Sequence, residues 1–169
     1  MFQATTVANT ILRKASEDDA EVTCLKLQGI LYFLASYYAK ITNKKLFNED
    51  FETWTHGPVL PSIYRKFGSY GAEPIKGYAK DAAGVAEFVD LQDNKTFRTV
   101  LDNVYDATIG HTDTHLRQVT RNAKSAWDIA NKTKSSTLDW MDIKNDTSYY
   151  MALPSLVVAL RTVYITPKD

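Results

Sequence analysis

The chain has 169 residues, of which 44% are hydrophobic and 24% are charged, a composition typical of a globular domain and not of a disordered chain. Its 20 basic and 20 acidic side chains cancel, so it lacks the positive excess with which nucleic-acid-binding proteins neutralise phosphates. These numbers predict one domain over residues 1–169 and make nucleic acid an unexpected partner.

Cysteine content and apolar segments indicate the compartment. The single cysteine, Cys24, excludes a disulfide bond within the chain and suits a reducing cytoplasm. The N-terminus lacks the charged start and apolar segment of a signal peptide. The longest apolar run, residues 153–160, is much shorter than the roughly 20 residues that span a membrane. We therefore expect a cytoplasmic protein with no membrane partner.

The first two predicted elements are helices. Apolar residues recur at helical spacing from Thr5 to Lys14. A longer helix is predicted over residues 23–42, with Thr23 as its N-cap. One face of this central helix is apolar at spacings of three and four, at Leu27, Ile30, Leu31, Leu34, Tyr38 and Ile41.

The opposite face of the central helix supports two interpretations. Gly29 and Ser36 lie there beside the aromatic residues Phe33 and Tyr37. A helix that is apolar on almost every side is normally enclosed by other helices. Alternatively, the two small residues leave a shallow groove in which a partner packs against both rings. A mid-helix glycine costs roughly 1 kcal/mol relative to alanine, which favours a need for that space.

A short β element follows the central helix. Residues 51–54 alternate and are rich in β-favouring side chains, which predicts a short strand. Gly57-Pro58 interrupts it, and a helix is predicted from about Pro58 to Gly68. Residues 71–94 are predicted to be the loosest region, either a binding loop or an edge hairpin, with a second short strand at 85–89.

The rest of the chain is predicted to be helical. The expected elements are helices at 95–109, 115–122 and 138–144, a turn capped by Ser125, and a last helix that starts at Ser148 or Pro154 and ends near Tyr164. The predicted fold class is mainly α with a minor β element. We expect a compact single-domain helical bundle around the central apolar helix, with one short β-hairpin.

Motifs for catalysis and cofactor binding are not recognisable, so no cofactor is expected. His111 and His115 have the spacing of two metal ligands on one helix face. However, the capping residues place His111 ahead of the helix, and no further Cys or His completes a site, so no metal is expected. His56 could act as a general base, but no nucleophile accompanies it, and a hydrogen-bonded turn histidine is the alternative. We therefore do not expect an enzyme.

Aromatic residues are numerous and point to protein binding instead. Trp, Tyr and Arg are the side chains that most often anchor protein interfaces. Trp54, Tyr64 and Arg65 flank the Gly-Pro turn, and either an interface or internal packing explains them. Trp127, which lies among small and apolar residues, is expected in the core.

An ordered series of motifs resembles a known family. The motifs are Lys26-Leu27-Gln28, Leu31-Tyr32-Phe33, Leu46 to Trp54, Gly57-Pro58-Val59, Tyr70-Gly71, Leu116-x-x-Val119-Thr120 and Ala126-Trp127. They resemble the SocA-like antitoxin domain, also called the Panacea domain or the GepA family of phage-associated proteins. The resemblance covers about residues 24–130 and leaves 131–169 as a C-terminal helical extension. Two positions depart from it: Gly29 stands where a basic residue is common, and Arg121 stands where histidine usually follows the threonine.

The resemblance implies an antitoxin of a type II toxin–antitoxin system, of the kind carried by prophages and other mobile elements. Such a protein neutralises a cognate toxin, encoded by the adjacent gene, by direct binding. The candidate contact residues are Phe33, Tyr37, Trp54, His56, Tyr64 and Arg65. A homo-oligomer is compatible with the same sequence.

The sequence leaves three other functions open. The first is an adaptor that delivers a partner protein to an ATP-dependent protease. The second is a small hydrolase or transferase that uses His56 or the His111/His115 pair. The third, autoregulation by DNA binding, ranks last because the chain has no net charge and no evident helix-turn-helix.

Overall fold

The computed structural model describes residues 1–165, which contain eight helices and one β-hairpin. The helices are α1 (Ala4–Glu17), α2 (Cys24–Thr42), α3 (Pro61–Phe67), α4 (Lys95–Thr108), α5 (Asp113–Thr120), α6 (Ala126–Lys132), α7 (Trp140–Asn145) and α8 (Pro154–Ile165). The strands are β1 (Glu52–Trp54) and β2 (Gly57–Val59), and a 3-10 turn, Gly68–Tyr70, follows α3. The predicted fold class, mainly α with a minor β element, is confirmed.

The central helix is α2, against which α4, α5 and α7 pack. Its N-cap is Thr23, as predicted: the Thr23 hydroxyl oxygen accepts a hydrogen bond from the Lys26 backbone N–H at 3.1 Å. Every residue from Leu27 to Tyr37 is buried, so α2 has no solvent-facing side over three turns. The interpretation in which other helices enclose α2 is therefore correct.

The small residues on the second face of α2 let other helices of the same chain pack closely against it. A Cβ placed on Gly29 would lie only 3.4 Å from Cβ of Leu116, so Gly29 lets α5 approach closely. The Ser36 hydroxyl donates a hydrogen bond to the backbone carbonyl of Ile143, in α7, at 2.7 Å. The predicted partner-binding groove is wrong at this place, because α5 and α7 fill it.

The two aromatic residues of this face are part of the core. Phe33 and Tyr37 are both 0% exposed. The ring of Phe33 packs edge-on against Tyr149, with 5.2 Å between ring centroids. Neither side chain is accessible to a partner in the folded chain, which removes both from the candidate contact residues.

The hairpin differs from the sequence-based expectation in its second strand. β1 and β2 pair antiparallel, with Thr53 opposite Pro58, and the strand predicted at 51–54 is confirmed. The helix start predicted near Pro58 is wrong, because Pro58 lies in β2 and α3 begins at Pro61. A proline in the first helical turn forgoes no helix hydrogen bond. The second strand predicted at 85–89 is also wrong, since that segment is irregular.

The other edge of β1 pairs with the polar segment before α7. The Thr53 backbone N–H donates to the Ser136 carbonyl oxygen, and the Leu138 backbone N–H donates to the Phe51 carbonyl oxygen, each at 2.9 Å. The segment 136–138 thus continues the sheet with a short stretch of backbone. These bonds join residues 136–138 to the hairpin.

The long connection at 71–94 contains no helix or strand, but polar side chains of α1 hold it in place. Asn9, which is 1% exposed, donates to the Ala79 carbonyl oxygen at 2.8 Å and accepts from the Ala79 N–H at 2.8 Å. The Asn9 amide also donates to the Glu87 carbonyl oxygen, and the Thr10 hydroxyl accepts from the Val89 N–H. These contacts satisfy backbone groups that no regular element pairs.

The downstream helices follow the predicted pattern closely. The bounds of α4, α5 and α7 differ from the predicted ones by one or two residues. The Ser125 cap is confirmed, since its hydroxyl accepts from the Asp128 N–H at 3.0 Å. α8 begins at Pro154, the later of its two predicted starts.

Candidate protein-binding site

A cavity of about 710 Å³ lies between the hairpin, α2, α3 and α5. Its lining contains three of the residues that the sequence singled out, Trp54, His56 and Tyr64, and several that it did not, among them Cys24, Gln28 and Arg117. Its volume lies in the range of sites that accommodate small molecules or side chains of a partner. The cavity is therefore the centre of the candidate functional site.

Two aromatic side chains stand at this cavity and remain exposed. Trp54, at the end of β1, is 37% exposed, and Tyr64, on α3, is 50% exposed. Their rings meet edge to face with 5.0 Å between centroids. Tyr64 also lies over Gly68, where a Cβ would come within 3.2 Å of the ring. The pair presents a large apolar surface to solvent in a defined orientation.

Gln28 of α2 fixes the start of α3. Its side-chain amide donates to the Leu60 carbonyl oxygen at 3.1 Å, and its side-chain oxygen accepts from the Leu60 N–H at 2.9 Å. Leu60 and Gln28 are both buried, so these two bonds satisfy backbone groups that water cannot reach. Since Leu60 immediately precedes α3, the bonds also determine where Tyr64 stands relative to the hairpin.

The two remaining predicted contact residues lie beside the aromatic pair. His56 is exposed in the hairpin turn and lines the cavity. Arg65 is exposed on α3, next to Tyr64, and is not part of the cavity lining. Trp54, His56 and Tyr64 thus line one cavity. We call this surface, together with the exposed Arg65 that follows Tyr64 in sequence, the hairpin face.

Arg117 is the feature of this site that sequence analysis missed. It lies on α5 and is 2% exposed, although arginine is rarely buried without a partner. Burial, reinforced by the nearby charge of Arg121 and opposed by Cys24, lowers the pKa of Arg117 to about 10. No periodicity or motif in the sequence distinguishes this arginine from a solvated one.

Burial also affects Cys24, at the start of α2. Desolvation raises the pKa of the Cys24 thiol, and the positive charge of Arg117 only partly opposes that effect. The thiol is therefore neutral at physiological pH and supplies no negative charge to the cavity.

The two histidines considered as metal ligands lie close together. The rings of His111 and His115 stack, with 5.0 Å between centroids, although His111 precedes α5. Within residues 1–165, no cluster of three or more His, Cys, Asp or Glu side chains is arranged to hold a metal ion. In the same range, no helix combines the length and apolar character needed to cross a membrane.

A helical domain with an exposed aromatic pair beside a cavity has the features of a protein-binding module. Residues 27–128 match the family described as antitoxin SocA-like, Panacea domain, and the chain belongs to this family. This result confirms the resemblance found in the sequence.

A known protein is also similar to part of the chain. Antitoxin SocA from Caulobacter vibrioides (strain NA1000 / CB15N) is 39% identical over 72 residues, which are 43% of this chain and 38% of that protein. The match thus spans well under half of the relative's length. No solved structure is significantly similar to the chain.

Proposed function

We propose that this protein is an antitoxin of a type II toxin–antitoxin system and neutralises a toxin protein by binding it through the hairpin face. Membership of the SocA-like antitoxin family supports the general role. The candidate partner is the product of the adjacent gene, and the cytoplasm is the expected location. The proposal assigns no catalytic step to the chain.

The exposed pair of Trp54 and Tyr64 is the observation that carries this proposal. Large aromatic side chains that remain accessible can bury much apolar surface when a partner covers them, at little cost in side-chain entropy. Both rings already contact each other at 5.0 Å, so their orientation does not have to be established on binding. His56 lines the same cavity and adds a polar group, and Arg65, exposed on α3 next to Tyr64 in sequence, is a further candidate contact.

The backbone beneath the pair is also held in place before binding. Gln28 holds the residue before α3, and Trp127 of α6 donates a hydrogen bond from its indole nitrogen to the Trp54 carbonyl oxygen at 2.8 Å. A preorganised surface loses less conformational entropy on association than a mobile one. This favours occlusion of a toxin by a stable interface, which requires on the order of 1,200–2,000 Å² of total buried area.

Co-expression with the product of the adjacent gene tests the proposal. Growth is measured with and without this protein, and the purified material is examined by size-exclusion chromatography and immunoblotting of the partner. Restored growth with a co-eluting complex is the expected result. Restored growth with disappearance of the partner protein would replace occlusion by delivery to a protease. Absence of both rescue and complex would overturn the antitoxin proposal for that gene pair.

A further inference from the structure

Arg117 carries a buried positive charge without a protein acceptor. None of its three guanidinium nitrogens has a hydrogen-bond partner among the described residues, and the side chain is only 2% exposed. Burial lowers its pKa to about 10, which still leaves the group charged at neutral pH. Such an arrangement costs several kcal/mol unless another interaction compensates it.

The surrounding backbone leaves room for this guanidinium. The Arg117 side chain passes Gly29 of α2, where a Cβ would lie 3.7 Å from its Cδ. It ends beside Gly57 of β2, where a Cβ would lie only 2.9 Å from Nη2 and 3.0 Å from Cζ. Gly57 also has a φ of +123°, a backbone conformation that side-chain-bearing residues rarely adopt. Glycine at position 57 therefore allows the hairpin to close over the guanidinium.

A second unpartnered polar group belongs to a residue of the same cavity lining. The Thr53 hydroxyl is buried, makes no hydrogen bond within the described chain, and belongs to the cavity lining together with Arg117. Among the described residues, no Asp or Glu lines the cavity. Arg121, one helical turn beyond Arg117, adds a second positive charge nearby. The cavity thus offers hydrogen-bond donors and positive potential but no negative charge.

We propose that this cavity is a carboxylate-binding site, in which Arg117 and the Thr53 hydroxyl bind the carboxylate and the apolar walls hold the group that carries it. A guanidinium binds a carboxylate through two parallel hydrogen bonds, and the hydroxyl supplies a third. Leu25, Val59 and the Trp54–Tyr64 pair form apolar parts of the lining. The ligand class is accordingly a carboxylate on an aliphatic or aromatic stem.

The donors fit a carboxylate better than a phosphate. One guanidinium fork and one hydroxyl satisfy a singly charged group with two oxygens. A phosphate dianion would bring three acceptor oxygens and more negative charge into a site whose remaining walls are largely apolar. The chemistry is the same for a free organic acid and for an acidic side chain of a bound protein. The site does not depend on the proposed antitoxin function, so either proposal can fail without the other.

Titration calorimetry on the purified full chain tests the site with defined probes. Phenylacetate represents a free acid and acetyl-Leu-Glu-Leu-amide represents a partner side chain. Phenylacetamide and acetyl-Leu-Gln-Leu-amide are the matched neutral probes. We expect at least one of the acids to bind with a Kd on the order of 0.1–1 mM, as suits ligands of this size, and its neutral counterpart to bind at least tenfold more weakly. Binding of phenylacetate indicates a free acid, and binding of the glutamyl peptide alone indicates a partner side chain.

Two substitutions assign the binding to these donors. Arg117→Met should weaken binding of the acid by about thirtyfold or more, because it removes the hydrogen bonds of the guanidinium to the carboxylate. Thr53→Val should weaken binding by about fivefold, because it removes the hydrogen bond of the hydroxyl. Arg98→Met and Thr99→Val are the matched controls, since both residues are exposed on α4 and neither lines the cavity. Both controls should bind like the natural protein.

Thermal unfolding separates a binding role from a structural one. Without ligand, Arg117→Met should unfold at a higher temperature than the natural protein, because it removes an uncompensated buried charge. The acid should raise the unfolding temperature of the natural protein and of Thr53→Val, but not that of Arg117→Met. The proposal would be overturned if neither acid bound at 10 mM, about tenfold above the weakest expected Kd. It would also be overturned if inorganic phosphate or the neutral probes bound as tightly as the acids, or if both variants bound the acid with unchanged affinity.

Discussion

The indole nitrogen of Trp127 donates a hydrogen bond to the backbone carbonyl oxygen of Trp54 at 2.8 Å, between residues that are 73 positions apart in sequence. Through this bond α6 holds the end of β1, where the exposed aromatic pair begins. The expectation that Trp127 is a core residue is thereby refined: it is partly buried, packs against the core, and uses its polar atom to fix the hairpin. The candidate binding surface therefore depends on a helix that lies outside it.

Replacing Trp127 by phenylalanine should reveal this dependence. The substitution keeps an aromatic ring but removes the hydrogen bond, so the free energy of unfolding should fall by about 1 kcal/mol. The hairpin should also become more mobile, which would weaken toxin binding through a higher dissociation rate. Urea denaturation and surface plasmon resonance measure the two effects. Trp140→Phe makes the same side-chain change without removing this bond, and an equal loss of binding in that control would contradict the explanation.

Truncation of the aromatic pair should separate binding from stability. Trp54→Ala and Tyr64→Ala should each weaken the toxin complex by about tenfold or more, because exposed aromatic residues are frequent interface anchors. The free energy of unfolding should change by less than about 1 kcal/mol, since both rings are already partly in solvent.

Tyr78→Ala is the matched control for the aromatic pair. Tyr78 is 37% exposed and also packs edge to face on another ring, that of Phe88, at a centroid distance of 4.9 Å. It belongs to the 71–94 connection and not to the hairpin face. The proposed surface would be wrong if Tyr78→Ala weakened the complex as much as Tyr64→Ala. It would also be wrong if neither Trp54→Ala nor Tyr64→Ala weakened the complex.

Asn9→Leu should release the connection at 71–94 from α1. The substitution removes the three hydrogen bonds of the Asn9 amide and leaves the Ala79 N–H, the Ala79 carbonyl and the Glu87 carbonyl without those partners. The expected cost is about 2–4 kcal/mol, because buried polar groups lose their pairing. Limited proteolysis should then cut within residues 71–94 at a higher rate. Asn131→Leu, at an exposed position of α6, should leave both the stability and the cleavage pattern unchanged.

Lys40 should make stability depend on pH in the alkaline range. Burial lowers its pKa from 10.5 to about 8, although the negative charge of Asp146 acts in the opposite direction. The unfolded chain therefore binds more protons at this position than the folded chain between about pH 8 and 10.5. The stability of the natural protein relative to Lys40→Met should rise over this range, with a slope of at most about 1.4 kcal/mol per pH unit.

Urea denaturation at pH 7.5, 8.5 and 9.5 (a window placed around that pKa) measures this difference. Lys40→Met also loses the hydrogen bond that Lys40 donates to the Ser36 hydroxyl at 3.0 Å, so its stability is expected to be lower at every pH. Only the pH dependence of the difference reports on the titration. Lys44→Met measures the effect of removing an exposed lysine nearby, and its change in the free energy of unfolding is subtracted at each pH. A difference that stays constant or falls with rising pH would contradict the prediction.

Much of the fold follows from local sequence signals. Periodicity located α2 and α4, and the predicted caps at Thr23 and Ser125 place their side-chain oxygens within reach of a backbone N–H of the first turn. The ordered motifs also identified the family. These signals succeed because helix periodicity and capping depend on residues only a few positions apart.

The errors share one cause, since each required knowledge of distant residues. The small residues Gly29 and Ser36 indicate a groove beside Phe33 and Tyr37, which made both rings candidate contacts. In the structure α5, α7 and the ring of Tyr149 cover that face. The hairpin was predicted, but its second strand was sought at 85–89, whereas β1 pairs with the residues that follow it and with segment 136–138. Strand pairing is set by tertiary packing as well as by local propensity.

The sequence by itself determined the helical class, the family and the location of Trp54, His56, Tyr64 and Arg65 around one turn. Only the tertiary structure decided that Trp54, His56 and Tyr64 line one cavity while Phe33 and Tyr37 lie inside. It alone also placed Arg117 of α5 beneath Gly57 of β2, although the two residues are 60 positions apart in the chain. The physical reason is that burial and the distance between remote residues depend on how the helices pack, which no local pattern records.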